Sequence, residues 1–325
     1  MKKFWQLWLS AILATFLLAA CGTDDAKKDN TPVNGSSQTE DQASEEVAEF
    51  PLTLTDAVGN DITLEQAPET IVSMIPSNTE ILFALGLNDE IVGVNDWDNY
   101  PEEALEKEKI GGMEFNVEKI VSMTPDVVFA HESMLGTGEE GLQQLRDAGI
   151  NVFVVKNAAD FEQTYETIKT IGQATGKTEE AAKIIEDMKA KVEEVLAKTA
   201  KVENEKRVFI ETSDVPEIYA PGKNTFMQQI LDMIGAENVV TEEDWVMISP
   251  EEIVKQNPDV IIVMYSYVPD IVESVKKRDG FSDITAVKEE RVVQVDENLT
   301  SRTGPRLALG LEEIAKAIYP EAFGE

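Results

Sequence analysis

Asn116-Val117-Glu118-Lys119-Ile120-Val121-Ser122-Met123-Thr124-Pro125-Asp126-Val127-Val128 returns further along the chain as Ser249-Pro250-Glu251-Glu252-Ile253-Val254-Lys255-Gln256-Asn257-Pro258-Asp259-Val260-Ile261. Glu118 matches Glu251, Pro125 matches Pro258 and Asp126 matches Asp259, all at one offset (249 − 116 = 133). Each copy reads as an N-cap residue opening a short helix, a proline closing it and an aspartate leading into an apolar strand. A second match runs in the same order: Ile81-Leu82 with Gly86, and Ile230-Leu231 with Gly235. Its offset differs from that of the first match, so the chain contains two α/β halves of common build that have diverged.

Outward from these copies, short apolar runs alternate with helical patterns. Ile71–Met74, Ile91–Val94, Val127–Ala130, Val152–Val155 and Val208–Ile210 read as buried strands. Ser77-Asn78-Thr79-Glu80 has the form of a capping box opening a helix through Leu85, which Gly86 ends. Between the halves, a run capped by Thr178 and reaching Lys198 has no glycine or proline and keeps Ala182, Ile185, Met188, Val192, Val195 and Leu196 near one face. A helix of that length is about 30 Å long. The sequence therefore predicts two similar α/β lobes, residues 51–172 and 204–325, joined by one long bridging helix within 173–203, with a ligand cleft between the lobes. A helical bridge is stiffer than two or three extended strands, so the cleft walls are expected to move little.

Composition narrows the function classes. The chain has 325 residues, 28 basic and 62 acidic, for a net charge of −34. At roughly 100–200 residues per domain, two lobes are the natural division. Such a charge repels nucleic-acid phosphates and anionic lipid headgroups, so neither is an expected partner of the folded body. One cysteine, Cys21, and one histidine, His131, do not furnish a Cys/His zinc site, a disulfide framework or a Cys-His catalytic pair. The sequence has no G-x-S-x-G and no P-loop, so an enzyme is not expected.

The first twenty residues have the order of a secretory signal: Lys2 and Lys3, an apolar run from Phe4 to Ala20, then small residues. An uncleaved N-terminal anchor is the plainer alternative. Leu18-Ala19-Ala20-Cys21-Gly22 resembles the bacterial lipobox, in which the cysteine becomes the lipidated first residue of the mature protein, and the chain's one cysteine stands there. Lipid on Cys21 would hold the protein on the extracytoplasmic face of the cell membrane, its only membrane contact. Residues 21–50 hold eight acids and two lysines with hardly an apolar side chain, the composition of a flexible tether about 30 Å in span.

With these elements placed, Leu54-Thr55-Asp56-Ala57-Val58-Gly59, the run from Ile71 through Pro76-Ser77-Asn78-Thr79-Glu80 to Gly86, Val92-Gly93-Val94 and Tyr100-Pro101 resemble the helical-backbone substrate-binding proteins of ABC importers. That family carries vitamin B12, ferric siderophores or haem, and the likeness extends from about residue 51 to the C-terminus. It implies no resident cofactor, a monomeric binder, and delivery of cargo to a permease dimer driven by an ATPase. In the family one surface glutamate on each lobe is received by permease arginines, and the matching residues are Glu118 and Glu251. The plainer reading of each is a carboxylate favoured by the first turn of a helix, and the two readings are compatible.

A large flat metal chelate needs aromatic walls and a few polar fixers on loops that follow strands. Trp97, His131, Tyr219 and Trp245 fit, and the cobalamin-binding members of the family have aromatic residues at the matching positions. Each has a bland alternative: an exposed tryptophan beside two aspartates, a tyrosine bracing the Pro221-Gly222 turn, a hydrogen-bonded structural histidine. His131 is open to either packing or metal ligation. Arg302 is the candidate polar fixer, with Lys223 a further cation, while Arg306 is expected to serve structure. So few cations favour a weakly charged corrinoid over a strongly anionic siderophore. Gly112 departs from the cobalamin-binding pattern, which has a tryptophan there. The resemblance thus implies capture of cobalamin or a related corrinoid, with a ferric siderophore or haem as the alternative.

Overall fold

The computed structural model describes residues 49–324. The expected signal segment, Cys21 and nearly all of the expected tether lie outside the described residues. The first half opens with a hairpin, β1 (Leu52–Thr55) and β2 (Asp61–Leu64), followed by β3 (Ile71–Ser73), α1 (Pro76–Ala84), β4 (Ile91–Val94), β5 (Glu108–Lys109), α2 (Val117–Met123), β6 (Val127–His131), α3 (Leu135–Asp147), β7 (Asn151–Val155) and α4 (Phe161–Thr175). The long helix α5 (Thr178–Thr199) comes next. The second half contains β8 (Arg207–Glu211), β9 (Tyr219–Pro221), α6 (Phe226–Ile234), β10 (Glu237–Asn238), β11 (Trp245–Met247), α7 (Pro250–Gln256), β12 (Val260–Val263), α8 (Ile271–Lys276), α9 (Thr285–Lys288), β13 (Val292–Gln294), α10 (Glu297–Ser301), α11 (Leu307–Ile318) and α12 (Pro320–Phe323).

Each half is built on a parallel sheet, ordered β5-β4-β3-β6-β7 in the first and β10-β8-β12-β13 in the second. The two written copies fold alike in detail. Asn116 caps α2 by accepting from the Lys119 amide, and Ser249 caps α7 by accepting from the Glu252 amide. Both helices stop on a left-handed residue just before the proline, Thr124 at φ 49° and Asn257 at φ 46°. The aspartate that follows then ties the neighbouring strand. Asp126 accepts from the Glu69 and Thr70 amides, both at 2.9 Å, beside β3, and Asp259 accepts from the Arg207 amide at 2.9 Å at the start of β8.

Strand periodicity sorts the core into layers. Ile71, Val127, Phe129 and Phe153 of the first sheet and Val208, Ile210, Val260 and Ile262 of the second join one cluster with helical residues that include Ile81, Ile168, Met188, Ile230 and Leu311. The alternate residues Val72, Val128 and Val154 pack outward on the α2–α3 side, while Phe209, Ile261 and Val263 pack into a separate outer cluster of the second half. The α5 helix therefore does more than bridge: its buried stripe, Ala181, Met188, Val192 and Val195, lies in the cluster that both halves share. It packs closely on α4, where a Cβ on Gly172 would sit 2.5 Å from the Ala181 Cβ, so only glycine permits that approach.

Two local expectations are corrected. α1 begins at Pro76 and its N-cap, Ile75, makes no side-chain cap, so Ser77 lies inside the helix and the capping box is not formed. Proline is suited to the first helical turn because its missing N–H is not needed there, which frees Glu80 for a different role. Thr178 is likewise the first residue of α5 rather than its cap, which is Lys177.

Candidate functional site

Between the halves lies an open cavity of about 640 Å³ whose lining includes Asp96, Trp97 and Asn99 from the first half and Trp245, Tyr265, Tyr267, Glu297 and Arg302 from the second. Trp97 sits on a tight loop after β4. The Asn95 side chain accepts from the Trp97 amide at 3.0 Å and donates to the Met74 carbonyl at 2.9 Å. Buried Asp98 accepts from the Asn95 amide at 2.7 Å and from the Thr79 hydroxyl at 3.0 Å. Burial pushes the Asp98 carboxyl up to about 6, against the lowering effects of Thr79, Asn95, Lys109 and Arg302. Its other oxygen, Oδ1, is buried without a partner. The loop is therefore fixed while the Trp97 ring stays 55% exposed.

Trp245 is presented differently, on the ribbon formed by β9 and β11. Val246 pairs with Ala220, and Trp245 and Met247 pair with Pro221 and Tyr219. Successive strand residues point to opposite faces, so Ala220 and Val246 face the core while Trp245, Met247 and Tyr219 stand on the exposed face. The cavity thus brings together Trp97, Trp245 and Arg302. Tyr219 lies outside its lining, diagonally across the ribbon from Trp245.

His131 is placed otherwise. It is 5% exposed at the end of β6, where its Nδ1 accepts from the Ser133 amide at 3.2 Å and lies 2.9 Å from the Ser133 hydroxyl. Burial holds its pKa below the usual imidazole value. Its ring caps the turn Glu132–Met134 and is not among the cavity-lining residues. This is a hydrogen-bonded arrangement within its own turn.

Arg302 lines the cavity, and its charge is engaged. Nη1 donates to Glu80 Oε1 at 2.8 Å, while Nη2 donates to Asn298 Oδ1 at 2.6 Å and to the Trp97 carbonyl at 3.4 Å. Arg306 binds the same Glu80 and lies over the Tyr100 ring at 3.6 Å, a structural role as expected. Lys223 is exposed and outside the lining. Gly112 abuts Trp97, whose ring would lie 3.2 Å from an added Cβ, so Trp97 itself occupies the space where another tryptophan would stand. Glu118 and Glu251 are exposed in the first turns of α2 and α7, at matching positions of the two copies. Among the described residues, no group of three or more His, Cys, Asp or Glu side chains is arranged to hold a metal ion, and no helix is long and apolar enough to cross a membrane.

Tyr265 and Tyr267, which are not among the sequence candidates, also line the cavity and stack with ring centroids 4.9 Å apart at an interplanar angle of 29°. A signal for them exists. Ligands of open α/β sheets gather at the carboxyl ends of strands, and Met264-Tyr265-Ser266-Tyr267 follows β12 as His131 follows the core of β6 in the first copy.

Two α/β halves about a shared helical layer, with an aromatic-walled cleft between them, define a bilobed binding protein. A family model described as periplasmic binding protein matches residues 71–299. The chain is 42% identical to an uncharacterized ABC transporter substrate-binding lipoprotein, YvrC, of Bacillus subtilis over 100% of both chains. It is 29% identical to a cobalamin-binding protein of Halobacterium salinarum, covering 83% of this chain and 74% of that protein. Among solved structures, a possible iron-binding (periplasmic solute-binding) protein of Staphylococcus epidermidis is 37% identical with a TM-score of 0.71, covering 78% of this chain and 100% of that one. The chain belongs to the periplasmic binding protein family, in its ABC transporter substrate-binding branch.

Proposed function

We propose that this protein captures a large metal chelate, cobalamin or a related corrinoid, in the cleft between residues 51–172 and 204–325 and delivers it to an ABC permease. The observation that carries the reading is the cavity's chemistry. Trp97 and Trp245 supply apolar ring surface, and Arg302, the one cation of the lining among the described residues, is held in an ion pair with Glu80, which Arg306 shares, while Asp96 and Glu297 add negative charge. A strongly anionic chelate would meet repulsion there, whereas a corrinoid binds mainly through apolar burial and neutral hydrogen bonds. The chelate is cargo, and the protein works as a monomer without a resident cofactor.

Exposed Glu118 and Glu251 are the docking knobs for permease arginines, since paired charges on the two halves register a two-fold partner. Lipid on Cys21 holds the protein at the extracytoplasmic face of the membrane, and residues 22–50 give it reach. A second reading, a ferric siderophore or haem, draws support from the 37% identical Staphylococcus epidermidis structure and its iron-binding description.

The test is titration of the purified protein with cyanocobalamin, ferrichrome and haemin, monitored by tryptophan fluorescence. Saturable quenching by cyanocobalamin is expected, reduced at least tenfold in affinity by Trp97→Ala or Trp245→Ala. Saturation by ferrichrome or haemin alone would replace the corrinoid with the iron chelate and keep the class.

A further inference from the structure

Behind the cavity lies a buried charged group that neither the aromatic walls nor the docking glutamates use. Glu211, fully buried at the end of β8, receives Arg278 on both oxygens: Nη1 to Oε2 at 2.6 Å and Nη2 to Oε1 at 2.7 Å. The Tyr265 hydroxyl donates to Glu211 Oε1 as well. Arg278 Nη2 also reaches Asp214 Oδ1 at 2.7 Å. The Asp214 amide in turn donates to the Tyr267 hydroxyl oxygen at 2.8 Å. Arg278 therefore holds both members of the stacked tyrosine pair, one through the Glu211 carboxylate and one through the Asp214 segment.

This arrangement is costly where it stands. Apolar groups adjoin it: Val263 is the strand partner of Glu211, and the Arg278 guanidinium lies 5.5 Å from the Phe281 ring centroid. The Arg278 Nε is buried without a partner. A buried ion pair contributes little net stability compared with well-packed apolar residues of similar volume, so stability does not account for it. What the network does is fix two rings. Tyr265 is buried, while Tyr267, 66% exposed, has one face on Tyr265 and lines the cavity. Because the Tyr267 oxygen already accepts the Asp214 N–H, its own proton is free to be donated into the cavity.

We propose that Arg278 is a positioning residue for cargo capture: through Glu211 and Asp214 it locks Tyr265 and Tyr267 as a pre-formed platform against which the planar ring of a chelate lies, with the Tyr267 hydroxyl as a donor to it. This rests on the reading that the cavity between the halves is the cargo site. A ring pair ordered before binding spares the cost of ordering it on binding, so loosening the platform weakens affinity without removing any direct Arg278 contact.

The experiment compares wild type, the Arg278→Met/Glu211→Met double variant, Tyr265→Phe, Tyr267→Phe and Trp97→Ala. Ring order is read from NMR of 13C-labelled tyrosine without ligand, and affinity from fluorescence titration with cyanocobalamin, ferrichrome and haemin. The double variant is expected to fold, to lose the restrained signals of Tyr265 and Tyr267, and to bind roughly tenfold more weakly. Tyr265→Phe leaves the buried ion pair intact, guards against a double variant that fails to fold, and is expected to lose affinity in the same direction. Tyr267→Phe, which keeps the ring and removes only the donor, is expected to bind a few-fold more weakly. Wild-type affinity in the double variant or in Tyr265→Phe, alongside a loss in Trp97→Ala, overturns the positioning role and leaves the cavity standing. Wild-type affinity in Trp97→Ala as well, or no saturation by any of the three probes, overturns the cavity and the platform together.

Discussion

Arg306 and Glu80, 226 positions apart in the chain, meet in a two-point contact: Nε to Oε2 at 2.8 Å and Nη2 to Oε1 at 2.6 Å. Arg302 adds a third bond to the same carboxylate. Glu80 is buried within α1 of the first half, and both arginines flank the start of α11 in the second. The contact fastens the halves beside the cleft. Phe161 and Phe226, with centroids 5.5 Å apart, make a second tie, and the Gln229 side chain accepting from the Phe161 amide at 3.1 Å makes a third.

Removing the Glu80 charge leaves two half-buried guanidinium groups without their anion. Glu80→Gln is expected to lower unfolding free energy by about 2–4 kcal/mol, below the full cost of breaking a buried pair because both arginines keep some solvent. Urea denaturation at pH 7 measures it. A loss under about 0.5 kcal/mol would mean the contact is no stronger than an exposed ion pair.

Asp98 gives the stability curve a defined pH signature. Its folded pKa of about 6 lies above the unfolded value of 3.8, so the folded state binds the proton more tightly. Stability from this group is present at low pH and is lost as pH rises from the unfolded value toward and through 6, on the order of 3 kcal/mol in all. His131 acts oppositely over the same range, because its depressed folded pKa costs stability as pH falls through 6.5. The comparison of wild type with Asp98→Asn isolates the aspartate. The difference between them is expected to change by at least 1 kcal/mol between pH 7 and pH 5, and a constant difference would contradict it.

Gly112→Ala places a methyl 3.2 to 3.3 Å from the Trp97 ring. The ring is free to yield by a few tenths of an ångström, so stability should change by less than about 1 kcal/mol. The Trp97 emission maximum is expected to shift and cyanocobalamin affinity to fall roughly threefold. Fluorescence and calorimetric titration of the single variant check both.

Charge reversal at the docking candidates separates binding from delivery. Glu118→Lys and Glu251→Lys sit at exposed helix starts, where loss of the favourable dipole interaction costs about 1 kcal/mol or less. Ligand affinity in vitro is expected to stay unchanged while uptake by cells falls severalfold in each single variant. Unimpaired uptake in both would remove these residues from the permease interface.

Much of this was legible in the chain itself, because it rests on local rules. The two copies around Glu118 and Glu251 are defined by capping, proline and strand alternation, which act over a few residues, and they fold as those rules dictate. The α5 helix was equally clear, since an unbroken apolar stripe has few alternatives. Trp97 and Trp245 each lie near a readable element, and the tertiary fold brings them to one cavity.

What only the tertiary structure decided is which partner each polar side chain takes. Ser77 to Glu80 has the form of a cap, yet Glu80 answers arginines more than 220 positions away because they bring two charges into reach of a buried carboxylate. His131 turned inward to cap its own turn, while Tyr265 and Tyr267 became a wall through Glu211 and Arg278, which come from distant stretches of chain. Propensity acts between neighbours in sequence, whereas desolvated charges are satisfied by whatever the fold brings within about 3 Å, and that distance is set by packing alone.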